Sequence, residues 1–205
     1  MAARHAFRFD QAACSGCKAC QAACKDKNAL PVGVWWRRVY EVAGGSWRRD
    51  GDAWRTDAFA YNVSLACNHC AEPVCVEVCP TGAMARRPDG VVLVASERCV
   101  GCRYCAFACP YGAPQYDERT GKITKCDLCA DELAAGRPPA CVAACPMRAL
   151  ELERIEEGAP ASGAGTFPLP DPALTGPGLA VAPHRDAARA SEVIADVVNR
   201  EEVRR

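Results

Sequence analysis

The sequence has no surplus of charge: Lys and Arg number 25, Asp and Glu 25, in 205 residues. Nucleic-acid binders normally carry a basic excess, so that class is excluded. It has no apolar run near the roughly 18 residues that cross a bilayer; the longest aliphatic stretch is Val91 to Ala95. A direct membrane span is therefore not expected. Residues 1–10 lack an apolar signal core, so the chain is expected to carry no export signal of its own. Cytoplasm, where free thiols and metal thiolates survive, is the plain expectation. Also missing are G-x-S-x-G, a P-loop and a nucleotide-binding glycine pattern. No substrate site is legible. Histidine is scarce, with His5, His69 and His184 only. A Rieske centre needs two His on one iron, so His69 is read as a supporting or surface residue.

What the chain does have is cysteine, 16 of them, in a sequence that is 50% hydrophobic. That hydrophobic share supports a core and excludes global disorder. A chain of this length does not need disulfide staples, so the cysteines are there for chemistry. They fall into four runs. The first is Cys14, Cys17, Cys20, Cys24. The second is Cys67, Cys70, Cys75, Cys79, followed by Pro80. The third is Cys99, Cys102, Cys105, Cys109, followed by Pro110. The fourth is Cys126, Cys129, Cys141, Cys145, followed by Pro146.

The third run matches the bacterial ferredoxin pattern C-x2-C-x2-C-x3-C-P in full. The first lacks only the proline, and the second and fourth carry insertions before the third Cys. Three thiolates from one tight loop can cap three corners of an iron–sulfur cube. The fourth Cys starts a helix leading away and ligates a neighbouring cluster. Proline after it suits the first helical position, where no N–H is needed. Structural zinc takes two knuckles of two ligands, which could account for the fourth run alone. A disulfide framework suits short secreted chains, and dithiol redox chemistry would leave most of the cysteines idle.

Runs two and three are separated by the 19 residues Pro80 to Arg98. Within them Ala83–Arg86 and Val91–Val94 flank Pro88-Asp89-Gly90, which reads as a β-hairpin. Run, hairpin, run is the layout of one two-cluster module. Exchanging fourth cysteines gives one cluster on Cys67, Cys70, Cys75 and Cys109, and another on Cys79, Cys99, Cys102 and Cys105. By exclusion, runs one and four supply Cys14, Cys17, Cys20 with Cys145, and Cys24 with Cys126, Cys129 and Cys141. The expected fold is α+β: two nested ferredoxin-like modules with four [4Fe–4S] clusters. Residues 1–30 and 117–155 form the outer module and 67–116 the inner one.

The remaining segments read as additions. Ala6–Asp10 alternates as a short strand. Residues 31–66 hold two β-rich runs, Trp36–Val42 and Ala58–Leu65, around Gly44-Gly45 and Asp50-Gly51, an extended hairpin insertion. Trp35, Trp36, Trp47 and Trp54 lie in or near it, and either face a partner or cover the clusters or fill the core. Residues 156–205 are expected to form an extended tail. Its Pro-, Ala- and Gly-rich part, Glu156 to Pro183, reads as an arm around a partner or as disordered. His184–Arg205 would form a helix with Val193, Ile194, Val197 and Val198 on one face. Lys18, Arg103, Lys122 and Lys125 lie close to ligands in sequence and could offset thiolate charge.

The runs Cys99-Val-Gly-Cys-Arg-Tyr-Cys105, Ala108-Cys-Pro-Tyr-Gly-Ala-Pro-Gln-Tyr116 and Thr124-Lys-Cys-Asp127 are similar to those of a known family. Tyr40-Glu-Val-Ala-Gly-Gly45 and Ser64-Leu-Ala-Cys-Asn-His-Cys70 add to the match. Over Phe7 to Leu150 the sequence resembles the iron–sulfur electron-transfer subunits of dimethyl sulfoxide (DMSO) reductase and related molybdopterin enzymes. Members pair the four runs in the way given above. Some carry Trp at the second Cys of the third run and hold a three-iron cluster; here that position is Cys102. The resemblance implies a catalytic subunit with a molybdenum bis-pterin guanine dinucleotide and a membrane anchor that oxidises menaquinol. It also implies a relay role for this chain, and co-export with a twin-arginine catalytic partner to the outer face of the membrane.

Overall fold

The computed structural model describes residues 3–156, 166–192 and 195–203. Its strands are β1 (Ala3–Asp10), β2 (Arg38–Gly44), β3 (Trp47–Asp50), β4 (Ala53–Thr56), β5 (Phe59–Leu65), β6 (Met84–Arg86), β7 (Val92–Val94), β8 (Gln115–Asp117), β9 (Lys122–Thr124), β10 (Leu150–Glu156), β11 (Leu179–Ala182) and β12 (Ala195–Val197). The helices are short: α1 (Ala19–Lys27), α2 (Val74–Glu77), α3 (Tyr104–Ala108), α4 (Ala130–Ala134), α5 (Ala140–Ala143), α6 (Ala187–Ala190) and α7 (Arg200–Val203). This is a mixed α+β chain.

The alternation in β1 buries Phe7 and Phe9 and exposes Arg8 between them. Phe7 and Phe9 meet Leu65, Val91, Tyr111, Leu128, Leu150, Leu179 and Val181 in the main core. Each such side chain, fully buried, contributes about 1.5–3 kcal/mol. β1 is the centre of its sheet, antiparallel to β10 on one side and parallel to β11 on the other. α1 packs on α5, and α2 on α3. β6 pairs with β7 in register Met84↔Val94, the hairpin that the Pro88-Asp89-Gly90 turn calls for.

The 31–66 insertion is an antiparallel pair, β2 with β5. β3 and β4 form a second hairpin at its tip, exposed along both strands. The four tryptophans separate accordingly. Trp36 donates its indole N–H to the Thr124 hydroxyl (3.0 Å) and packs beside Cys67 and Cys126. Trp35 lies under the Lys25 ammonium, 4.1 Å from ring centroid to Nζ. Trp47 and Trp54 face solvent, 64% and 65% exposed.

The tail departs from the sequence reading. Among the described residues, 166–192 and 195–203 lie on the chain's own body rather than standing off as an arm. The Ala71 and Glu72 N–H groups donate to the Gly176 and Thr175 carbonyls (2.8 and 3.0 Å), and Gly178 N–H donates to the Asn68 carbonyl (2.7 Å). Gly178 passes so close that a Cβ there would stand 2.6 Å from the Asn68 oxygen and 3.0 Å from the His5 oxygen. The single terminal helix is also corrected. Val197 belongs to β12, which pairs with β2, and among the described residues of 184–205 the helical turns are α6 and α7. Without β12, the edge of β2 would present unpaired N–H and C=O groups, and satisfying them overrides the helical spacing of the valines. Val198 is exposed, while Val193 and Ile194 lie outside the described residues.

Candidate metal centres

The cysteine loops are built on left-handed backbone. In the first run Gly16 (φ 70°) and Lys18 (φ 60°) precede α1; in the third Gly101 (φ 70°) and Arg103 (φ 65°) occupy the same steps before α3. Such residues turn successive N–H groups into an anion-binding concavity. Gly101 is required for space as well, since a Cβ would stand 2.1 Å from the Gly121 carbonyl oxygen in the β8–β9 turn.

The thiols gather in four groups. Cys14, Cys17, Cys20 and Cys145 line one cavity with Phe9, Ser64 and Leu150. Cys67, Cys70, Cys75 and Cys109 line another with Tyr111, Lys125 and Thr175. Cys105 is faced by Cys102, Cys79 and Cys99. Cys24 is faced by Cys141 and Cys129, and Cys126 by Cys24 and Cys141 with Cys67 of the neighbouring group. Cys17 and Cys102 are exposed, and the other thiols are buried or half-buried.

Donors aim at the sulfurs. Ile123 N–H reaches Cys99 Sγ and Leu128 N–H reaches Cys126 Sγ, each at 3.4 Å. Ser64 Oγ lies 3.4 Å from Cys20 Sγ. At Cys79 burial opposes ionisation, yet the Met84, Thr81 and Ala83 N–H groups and the Thr81 hydroxyl bring the thiol below its ordinary value. At four other thiols burial prevails. It pushes Cys24, Cys70 and Cys75 up to about 12, and Cys105 to about 11. Thiols held so high are protonated at neutral pH, and a metal that ligates thiolate is what draws the proton off. Among the described residues no three His, Cys, Asp or Glu converge as ligands of a lone ion. Four thiols around one void, faced by N–H donors, fit the larger iron–sulfur cube.

Of the cations singled out in the sequence, Lys125 is buried and donates to the Val92 and Cys126 carbonyls. Lys122 donates to the Ser96 carbonyl (2.6 Å). Arg103 lies 3.6 Å over the Tyr116 ring. Lys18 pairs with Glu202. His69 is buried rather than on the surface, its Nδ1 accepting the Val92 N–H at 3.0 Å. It ties the Cys67–Cys70 loop to β7. Sequence reasoning missed Arg37, which is buried and faces Cys20 of one group and Cys24, Cys126 and Cys141 of another. Its only sequence signal was a charge in a β-rich run, which reads as a solvated face.

Residues 58–155 match a family model described as a 4Fe-4S dicluster domain. The class that fold and site define is thus a ferredoxin-like iron–sulfur protein, with the first cysteine run lying ahead of the matched segment. The chain is 44% identical to the B subunit of the anaerobic dimethyl sulfoxide reductase of Escherichia coli (strain K12), over 99% of this chain and 100% of that one. Its counterpart in Haemophilus influenzae is 46% identical over 98% and 99%. The "Thiosulfate reductase electron transfer subunit PhsB" of Salmonella typhi is 42% identical over 75% and 78%. The chain belongs to the family of dimethyl sulfoxide reductase B subunits, iron–sulfur electron-transfer proteins.

Proposed function

We propose that the sixteen thiols hold four [4Fe–4S] clusters in two nested modules. The first set is Cys14, Cys17, Cys20 and Cys145, and the second Cys24, Cys126, Cys129 and Cys141. The third is Cys67, Cys70, Cys75 and Cys109, and the fourth Cys79, Cys99, Cys102 and Cys105. The gathering of the thiols in fours carries this reading. The packing of α1 on α5 and of α2 on α3 supports the nesting, because each helix pair joins two cysteine runs. When bound, each cluster supplies one-electron transfer at a potential set by hydrogen bonds to sulfur, charge and exposure. The chain's own residues hold the thiols, exclude water from the inner sets and place N–H donors and cations around them.

The chain then relays electrons from a membrane anchor that oxidises menaquinol to a molybdopterin catalytic subunit that reduces an S- or N-oxide. The exposed Cys17 and Cys102, in two different sets, support two points of contact with partners. Val100, Tyr104 and Phe107, large and exposed, flank Cys102. A DMSO reductase-type partner is favoured over a thiosulfate reductase-type one because similarity to the DMSO reductase relatives extends over 99% of the sequence, tail included. The site of action is the outer face of the membrane, reached by export with a twin-arginine catalytic partner. No helix among the described residues is long and apolar enough to cross a membrane.

Anaerobic purification with iron and sulfide analysis tests the cofactor, with about 16 Fe per chain expected. Two Zn and no iron would reject it. Gel filtration of native extract tests the assembly; a lone brown species the size of this chain would favour a free polyferredoxin carrier. Protease accessibility in spheroplasts tests the side of the membrane.

A further inference from the structure

Arg37, the residue before β2, is 2% exposed. Its Nη1 donates to the Ser64 hydroxyl (3.1 Å) and carbonyl (3.3 Å). Its Cζ lies 4.5 Å from the centroid of the Phe7 ring. Nε and Nη2 are buried without a hydrogen-bond partner. The ionisable side chains that face it are thiols: Cys141, Cys20, Cys126 and Cys24. Cys20 belongs to the first set, the other three to the second.

A guanidinium remains protonated when buried. A buried charge needs an opposite charge, and a buried N–H needs an acceptor. Among the described residues no carboxylate supplies either to Arg37. Lys18 differs: it is part-exposed and spends its charge on Glu202. Lys125 differs too, because carbonyls take its protons. The two unpartnered donors of Arg37 therefore stand where sulfur is the available acceptor.

We propose that Arg37 is a shared counter-cation for the first and second clusters, holding both midpoint potentials up. The inference rests on the ligand sets proposed above. Reduction adds one electron and one negative charge to a cluster. A fixed cation nearby stabilises the reduced form more than the oxidised one, and so raises the midpoint. Because the guanidinium faces thiols of the first and second sets, its effect falls chiefly on those two clusters. Ser64 links the arrangement, accepting from Arg37 while its hydroxyl lies against Cys20.

The test is a dithionite redox titration of the anaerobically prepared full chain, followed by EPR. Parent, Arg37→Gln and Arg37→Lys are compared, and Cys20→Ser and Cys24→Ser assign the signals. With iron content unchanged, Arg37→Gln is expected to lower two midpoints, those of the first and second clusters. Arg37→Lys, which keeps the charge, should leave them near the parent values. The proposal is overturned if Arg37→Gln moves neither, only one, or all four alike. It is equally overturned if Arg37→Lys falls as far as Arg37→Gln. Should Arg37→Gln fail to take up iron, Arg37→Lys decides alone: full iron and parent midpoints support the proposal, and lowered midpoints overturn it. A parent chain without iron would instead sink the ligand sets themselves.

Discussion

Lys18 and Glu202, 184 positions apart, are joined Nζ to Oε1 at 2.6 Å, so the last helical turn is fastened to the loop between Cys17 and Cys20. Asn199 closes the same corner, donating to the Val39 carbonyl (2.9 Å) and accepting from the Glu41 N–H (2.8 Å). The Lys18 bond, with its charge, holds the Glu202 carboxyl below the usual glutamate range. A lowered acid pKa contributes stability above the ordinary glutamate range, and that contribution is lost as pH falls through the lowered value. The side chains are 36% and 41% exposed, so screening keeps the pair small. Glu202→Gln should cost about 0.5 kcal/mol at neutral pH and nothing in strong acid. Melting curves against pH check this.

Gly101→Ala is expected to disrupt the fourth set. The new methyl must displace the Gly121 carbonyl and also adopt a left-handed φ. Together these cost about 1–3 kcal/mol. Iron analysis should show loss confined to one cluster. Full iron content with unchanged EPR would contradict this role for the glycine.

Cys102→Ser should leave its set with three thiolates. One iron is lost, and EPR shows a three-iron signal with a raised potential in place of one cubane signal. Four unaltered [4Fe–4S] signals would refute the assignment of Cys102.

Trp47→Ala with Trp54→Ala is expected to leave iron content and melting unchanged, because both rings stand in solvent on the outer hairpin. Pull-down with the catalytic subunit should weaken by about tenfold or more, as removal of an aromatic anchor does. Equal retention would place the partner elsewhere.

Gly178→Ala should loosen the strap that runs along Asn68 and His5. Overpacking of this kind costs about 1–3 kcal/mol. Limited proteolysis would then cut within 166–192 at lower protease concentration than in the parent.

The cysteine spacing was legible because ligand geometry is local. Three thiols within seven residues, such as Cys99, Cys102 and Cys105, state their chemistry without the rest of the fold. The β6–β7 hairpin was legible for the same reason, since Pro88-Asp89-Gly90 dictates a turn. The tail was not. Leu179–Ala182 finds its place only beside β1, and Val197 only beside β2, pairings that no local periodicity announces. Arg37 escaped for a related cause: a buried arginine and a surface arginine read alike until their neighbours are known.

The position of β1 constrains how the molecule is made. Phe7 and Phe9 leave the ribosome well before their sheet partners, Leu150–Glu156 and Leu179–Ala182. Closing such a long loop is slow, and until it closes the early thiols stay open to whatever delivers iron.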